Sequence, residues 1–457
     1  MFNLIILTIF IILFSCFTWS KFSNGLIIFF LLLPSYLIRF RIGLLPTTLL
    51  EIMFLIIFII WIIKYRQSII NNLILIIKNN KILFTAIFFF LLATIISIFT
   101  SINIQSALGE GKAFYLEPVI MFVILITTIK EKKQINNILL ALIISGLITA
   151  ILAIYQHFTG WLVPEAFWSN RQTYRVTAWY GFPNGVGLFL APLIPFAIYL
   201  MKETWPVIKK YKTQKINKLS ITNSQSQTTQ FKNWLLFLSS IFYLILAPLA
   251  IIFSKGTGPL LGIIGGISLL FLINKKTRWL IILVGLISLI SLLFLPQLSN
   301  IKQEITFQDR SGQIRLAIYK ETWNFLKDNP LVGAGLASYS KKIAPYHTTV
   351  NNENIEIFHH PHNAFLTMWV NLGILGLLSF IIIKFYSLCF IPYSVYKQKK
   401  QLLPLTLFTI SSLFIILIMG LVDSPYIKND LAMFFWLLIA LILSSKYHLE
   451  NTSTKEN

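Results

Sequence analysis

A chain of 457 residues that is 56% hydrophobic and 12% charged is excluded from the ordinary soluble class, where about a quarter of residues are charged. Its long apolar runs are too many for a secreted protein with one signal peptide, and too continuous for the alternating strands of a transmembrane barrel. The net charge of +22 falls in short basic runs between apolar segments, which is the positive-inside pattern of orientation rather than a nucleic-acid surface.

The composition therefore predicts an all-α polytopic membrane protein. In chain order, spans are expected near 3–19, 24–40, 47–63, 82–99, 113–129, 137–157, 185–202, 234–253, 257–273, 279–296, 364–385, 402–422 and 431–446. That makes about 12–13 transmembrane helices in one domain covering 1–457. Basic linkers near 130, 203–233, 275 and 397 lie on one face, read as cytoplasmic, with an even number of spans between neighbours. The stretch 215–232 is polar and low in complexity, which predicts a flexible linker. The first 63 residues are ambiguous: thirteen spans put Arg39 and Arg41 outside, against the charge rule, and an interfacial segment before residue 47 would change the parity. Cys16 and Cys389 both lie in apolar segments and imply no disulfide framework. No internal repeat supports a transporter built from inverted halves.

Three segments fall on the opposite face: 158–184, the long loop 297–363, and the short turn 423–430. Polar residues concentrate there. The first carries Arg171, Arg175 and Pro183-Asn184-Gly185, where Asn184 is either a helix cap or a functional amide. The hairpin Ser254-Lys255-Gly256-Thr257-Gly258 places a cation beside glycines that let a ligand approach the backbone; a snorkelling lysine in a tight turn is the plain alternative.

In the long loop, Ser311 is expected to cap a helix running to about Lys327, with Arg315, Tyr319 and Thr322 on one face. Arg310 and Arg315 are candidate anion binders, because a guanidinium grips phosphate or carboxylate bidentately. Gly333-Ala334-Gly335 reads as a turn at the membrane surface. The loop ends in His359-His360-Pro361-His362-Asn363 and opens onto the apolar run Ala364 to Ile383. The histidines lack the helical spacing of a zinc protease site. A neutral imidazole acting as general base is the stronger reading, with nearby arginines disfavouring its protonation. The turn Asp423 to Asp430 reads mainly as a polar connection in which Lys428 and Asp430 can pair.

Taken together, these motifs resemble the O-antigen ligase and polymerase superfamily of bacterial envelope glycosyltransferases, over roughly residue 100 onward. His362-Asn363, nine residues, then Gly373 and Gly376 is similar to the ligase signature of His, a small polar residue, nine residues and Gly-x-x-Gly. Arg315 followed by Tyr319, Trp323, Pro330-Leu331 and Gly333-Ala334-Gly335 is similar to the family's loop pattern, and Arg175 with Pro183-Asn184 to the motif before a mid-chain span. Lys255 stands where members usually carry arginine in Ser-Arg-Gly.

The resemblance implies a GT-C-like helical fold with short helices in its extracytoplasmic loop, in a bacterial cytoplasmic membrane, with the active site facing outside. It implies transfer of a glycan from an undecaprenyl-diphosphate-type carrier to an acceptor hydroxyl, in cell-surface polysaccharide or lipopolysaccharide synthesis, without a metal or other cofactor. His362 would be the catalytic base. Arg315 and Lys255 would bind the diphosphate, with Arg175 and Arg310 as second-rank candidates. Asn363 would fix the histidine loop or cap the next helix, and Gly373 and Gly376 would allow close helix packing. The acceptor would be a glycan, lipid or protein; a lipid-linked repeat as acceptor would make the enzyme a polymerase. A secondary transporter or flippase, and a non-catalytic scaffold, are the alternatives from other classes.

Overall fold

In a computed structural model the described residues are 2–43, 45–216, 224–350, 353–390, 392–393, 396–397 and 403–453. Helices dominate, as the apolar runs require: a backbone crossing lipid must satisfy its polar groups internally. Helices α1 (Phe2–Ser20) and α2 (Phe22–Leu31) precede a two-stranded hairpin, β1 (Arg39–Ile42) and β2 (Leu45–Thr48). Then follow α3 (Leu49–Asn79), α4 (Lys81–Phe99), α5 (Ile104–Thr128, with a π-helical turn at Gly111–Leu116) and α6 (Lys132–Thr159). Helix α7 starts as Pro183–Leu190 and continues past a tight turn as Ile194–Ile216; α8 is Ser224–Phe253, α9 Thr257–Ile273 and α10 Arg278–Phe294. The loop helix α11 is Arg310–Asp328, and α12 (Ala364–Phe385), α13 (Pro404–Met419) and α14 (Asn429–Ser453) complete the fold.

Helices thus occupy the expected spans, and the protein is a multi-pass membrane protein. Six stretches are by themselves long and apolar enough to cross a membrane: Lys81–Phe99, Ile104–Thr128, Lys132–Thr159, Pro183–Lys210, Gln230–Phe253 and Ala364–Cys389. Others are shorter apolar helices, such as Thr257–Ile273 and Pro404–Met419. Two expectations change. The span near 24–40 is helical only to Leu31, because Pro34 and a tight 3-10 turn at Leu33–Leu37 lead into the hairpin. The linker 203–233 is helical over 203–216 and 224–233, as α7 and α8 run on beyond their apolar parts; residues 217–223 of the predicted flexible stretch lie outside the described residues.

Helix α14 is the centre of the bundle. Its residues Leu431 to Leu443 are buried on every side, including Trp436, as expected for a helix that is apolar all round. Helix α10 is the opposite case: it is apolar, yet none of its residues is buried, as suits a helix facing lipid. The linkers assigned to one face meet there, since Lys132 pairs with Glu203. The loops assigned to the other face also meet: Arg175 reaches Ser254, and His362 reaches Asp423.

The long loop is anchored by a clasp of glycines. Gly333 and Gly335 have φ of +64° and +81°, in the left-handed region. Ala334 and Gly335 N–H donate to the Val370 carbonyl at 2.7 and 3.2 Å, and Ile374 N–H donates to Leu331 at 3.1 Å. This is possible because α12 is broken at Gly373 (φ 69°). A Cβ at Gly373 would collide with the Leu331 carbonyl oxygen, and one at Gly333 with Trp369 and Val370 carbonyls. Gly373 was expected to serve helix packing; its place is instead a helix break that receives the loop.

Candidate active site

The site is built where the turn after α13 meets the start of α12. Asn363 is the N-cap of α12: its side-chain oxygen accepts from Phe365 and Leu366 N–H at 3.0 and 3.1 Å. Its amide nitrogen donates to the Leu421 carbonyl at 3.0 Å, and Ala364 N–H donates to Gly420 at 2.7 Å. Asn363 therefore both caps the helix and ties the histidine loop to the 423–430 turn. The preceding His362 has φ 49°, a strained conformation for a side chain with a Cβ. Tyr319, on α11, donates toward the carbonyls of both His362 (2.9 Å) and Leu421 (3.1 Å), so the loop helix clamps the same junction. Burial pushes the Tyr319 hydroxyl up to about 12, which keeps it a donor.

Asp423 is the hub. Its Oδ1 lies 3.5 Å from His362 Nδ1 and 3.9 Å from His360 Nε2, and accepts from Ser424 N–H at 2.7 Å. Its Oδ2 accepts from the Asn184 amide at 2.7 Å. Burial pushes this carboxyl up, but the neighbouring His360 and His362 imidazoles outweigh it and hold it well below the usual carboxylate range. His360 is pulled down by burial against the opposing pull of Asp423.

Asn184 carries the site onward. It is not a cap, since the N-cap residue of α7 is Phe182 and no side chain caps the helix. Its oxygen accepts from the Arg175 guanidinium at 3.1 Å. Arg175 also donates to the Ser254 carbonyl at 2.8 Å and to Lys255 at 3.4 Å. Burial lowers the Arg175 pKa, and the neighbouring Arg315 charge adds to that, with Asp423 opposing. Arg175, Asn184, Lys255, Arg315 and Asp423 line one cavity of about 180 Å³. Glu304 and Asp309 lie on its wall too; the Asp309 carboxylate caps α11 by accepting from Ser311 and Gly312 N–H. The cap of α11 is therefore Asp309, where Ser311 was expected: the aspartate sits at the extended residue just before the helix. Among the described residues Arg175, Lys255 and Arg315 form no ion pair. Three cations without an ion-pair partner, facing a wall on which Asp423 and Asp309 are already engaged as hydrogen-bond acceptors, can receive an anion.

Other candidates fall elsewhere. Arg310 pairs with Glu353 at 2.7 Å on an exposed surface and lines a different cavity, with Gln313 and Ile355. Glu321 and the Ile355 carbonyl engage His347 at 3.2 and 2.9 Å, so it supports the loop. Lys428 sits over the Phe182 ring at 4.8 Å, while Asp430 accepts from Leu431 N–H; the two form no ion pair among the described residues. Sequence reasoning leaves Asp423 in a polar turn and Asn184 open between helix cap and functional amide, because their partners lie 61 and 239 positions away.

Residues 242–381 match the family described as O-antigen ligase. Over these residues the match supports a likeness to the O-antigen ligase and polymerase superfamily. No curated protein matches the chain. The matched segment includes Lys255, Arg315, His362 and Asn363, whereas Arg175, Asn184 and Asp423 join it from outside.

Proposed function

We propose that the protein is an O-antigen ligase-type glycosyltransferase of the bacterial cytoplasmic membrane, working at the outer face. It moves a glycan from an undecaprenyl-diphosphate-type carrier to an acceptor hydroxyl. The observation that carries this reading is the Asp423 bridge: one oxygen faces His362, the other holds Asn184, which holds Arg175 at the cation-lined cavity. With Asp423 accepting at Nδ1, His362 Nε2 is left with its lone pair toward an acceptor. The acceptor oxygen attacks the anomeric carbon as His362 takes its proton. The carbon–oxygen bond to the diphosphate breaks, and the leaving diphosphate keeps that electron pair. Arg175, Arg315 and Lys255 stabilise the charge that develops there. Lys255 acts as a point charge, without the fork of an arginine. The same residues serve a polymerase, in which the acceptor is a second lipid-linked repeat.

A second reading rests on one observation: ligand atoms of His360, His362 and Asp423 all lie within 4.8 Å of one another, a donor set that suits a transition metal. One experiment separates the two. In membranes with lipid-linked donor, His362→Ala is expected to lose about 10²–10⁴-fold in transfer rate, His360→Ala much less, and EDTA to leave wild-type transfer unchanged. Loss with His360→Ala but not His362→Ala overturns the base assignment, and EDTA inactivation reversed by zinc hands the site to a metal.

A further inference from the structure

A second cavity, of about 540 Å³, opens beside the amino-terminal hairpin. It falls within the roughly 300–1,000 Å³ of small-ligand sites and shares no lining residue with the cation cavity. Arg39 and Arg41 stand two residues apart on β1 and both line it. Neither forms an ion pair among the described residues. Glu51 and Glu110 form its acidic wall. Glu51 is fixed by the Thr48 capping box and by Lys112 at 3.1 Å; Glu110 accepts from the Ala337 backbone at 2.9 Å. Tyr36 also lines the cavity; it is 2% exposed and its hydroxyl has no hydrogen-bond partner among the described residues. Phe40 and Phe114 add apolar faces.

This lining offers charged donors, charged acceptors and aromatic rings together. A sugar suits this mixed set, because each hydroxyl both donates and accepts. The cavity also adjoins the active site. Asn429, on its wall, ends the turn that begins at Asp423, and Glu110 accepts from Ala337, in the loop that leads to the histidines. A transferase that displaces a diphosphate needs a separate place for the attacking sugar.

Resting on the glycosyltransferase reading, we infer that the hairpin cavity is the acceptor-side saccharide site, with Arg39 and Arg41 as its recognition residues. The test uses the purified full chain. The probes are two oligosaccharides released by mild acid from the host's surface glycan, the core that a ligase extends and the repeat unit that a polymerase extends, with binding followed by saturation-transfer NMR and glycan transfer assayed in liposomes. Wild type and Lys255→Ala bind one of the two. The Arg39→Ala/Arg41→Ala double variant, and Arg41→Gln alone, bind it roughly 10-fold more weakly, as loss of charged hydrogen bonds implies. Their acceptor KM rises by a similar factor while donor KM stays unchanged, which also reports an intact fold. Unchanged oligosaccharide binding and acceptor KM in both variants overturn the inference, as does loss of co-purified anionic phospholipid with acceptor KM unmoved. If wild type binds either oligosaccharide at the arginines but transfers no glycan, the site stands and the glycosyltransferase reading fails.

Discussion

Asp423 decides most at the scale of single residues. A buried carboxylate is costly unless it is hydrogen-bonded and paired, and this one has both oxygens engaged. Asparagine in its place keeps the size and can still meet Asn184. It turns an acceptor into a donor at His362 Nδ1, however, and so selects the tautomer in which Nε2 holds the proton. Asp423→Asn is therefore expected to lower transfer by about 10²–10⁴-fold with donor KM little changed, measured with lipid-linked donor in membranes; near-wild-type turnover would remove Asp423 from the mechanism. Its depressed folded pKa also carries a stability sign. The carboxylate stabilises the fold fully above the unfolded value of about 3.9, and that contribution is lost as pH falls through the lower folded value. The Tm gap between wild type and the variant should accordingly be full at neutral pH and close only in strong acid.

Among the elements, the join between the long loop and α12 governs the site, since α12 presents Asn363 and the loop helix presents Arg315 and Tyr319. That join depends on Gly373. Alanine there must hold a φ of 69° and place its Cβ against the Leu331 carbonyl oxygen; the backbone strain alone costs on the order of 1–3 kcal/mol. Gly373→Ala is expected to lower the Tm of the detergent-purified protein by several degrees and to reduce transfer, whereas Gly285→Ala, with nothing within 4 Å of its added Cβ, leaves both unchanged. Equal melting of Gly373→Ala and wild type would show that the break is tolerant. The helices of this join were legible in the sequence, because apolar period and Asn363 mark them locally. The clasp was not: Gly333 and Gly335 find their partner at Val370, and nothing at either place announces the other. The hairpin was equally hidden, since a four-residue strand beside Pro46 gives no run long enough to read.

For the molecule as a whole, the question is which way the bundle stands. The alternation of basic linkers predicted two faces, and contacts such as Lys132 with Glu203 on one side and His362 with Asp423 on the other agree with that division. The candidate site was partly legible for the same reason: loops sharing a face were expected to supply Arg175, Lys255, Arg315 and His362. Arg310 shared the face but not the cavity, because an address on a face does not specify which side of α11 a residue takes. The hairpin tests the division most sharply. Arg39 and Arg41 line a cavity with Asn429, so they stand at the same end as Asp423, although positive charge is disfavoured on an outer face. In a background with Cys16 and Cys389 replaced by serine, Arg41→Cys and Ser311→Cys should react with a membrane-impermeant maleimide in intact cells, and Lys276→Cys only after permeabilisation. Arg41→Cys labelling in step with Lys276→Cys would put the hairpin on the basic face, and the cavity it forms with Asn429 could not then exist in the membrane.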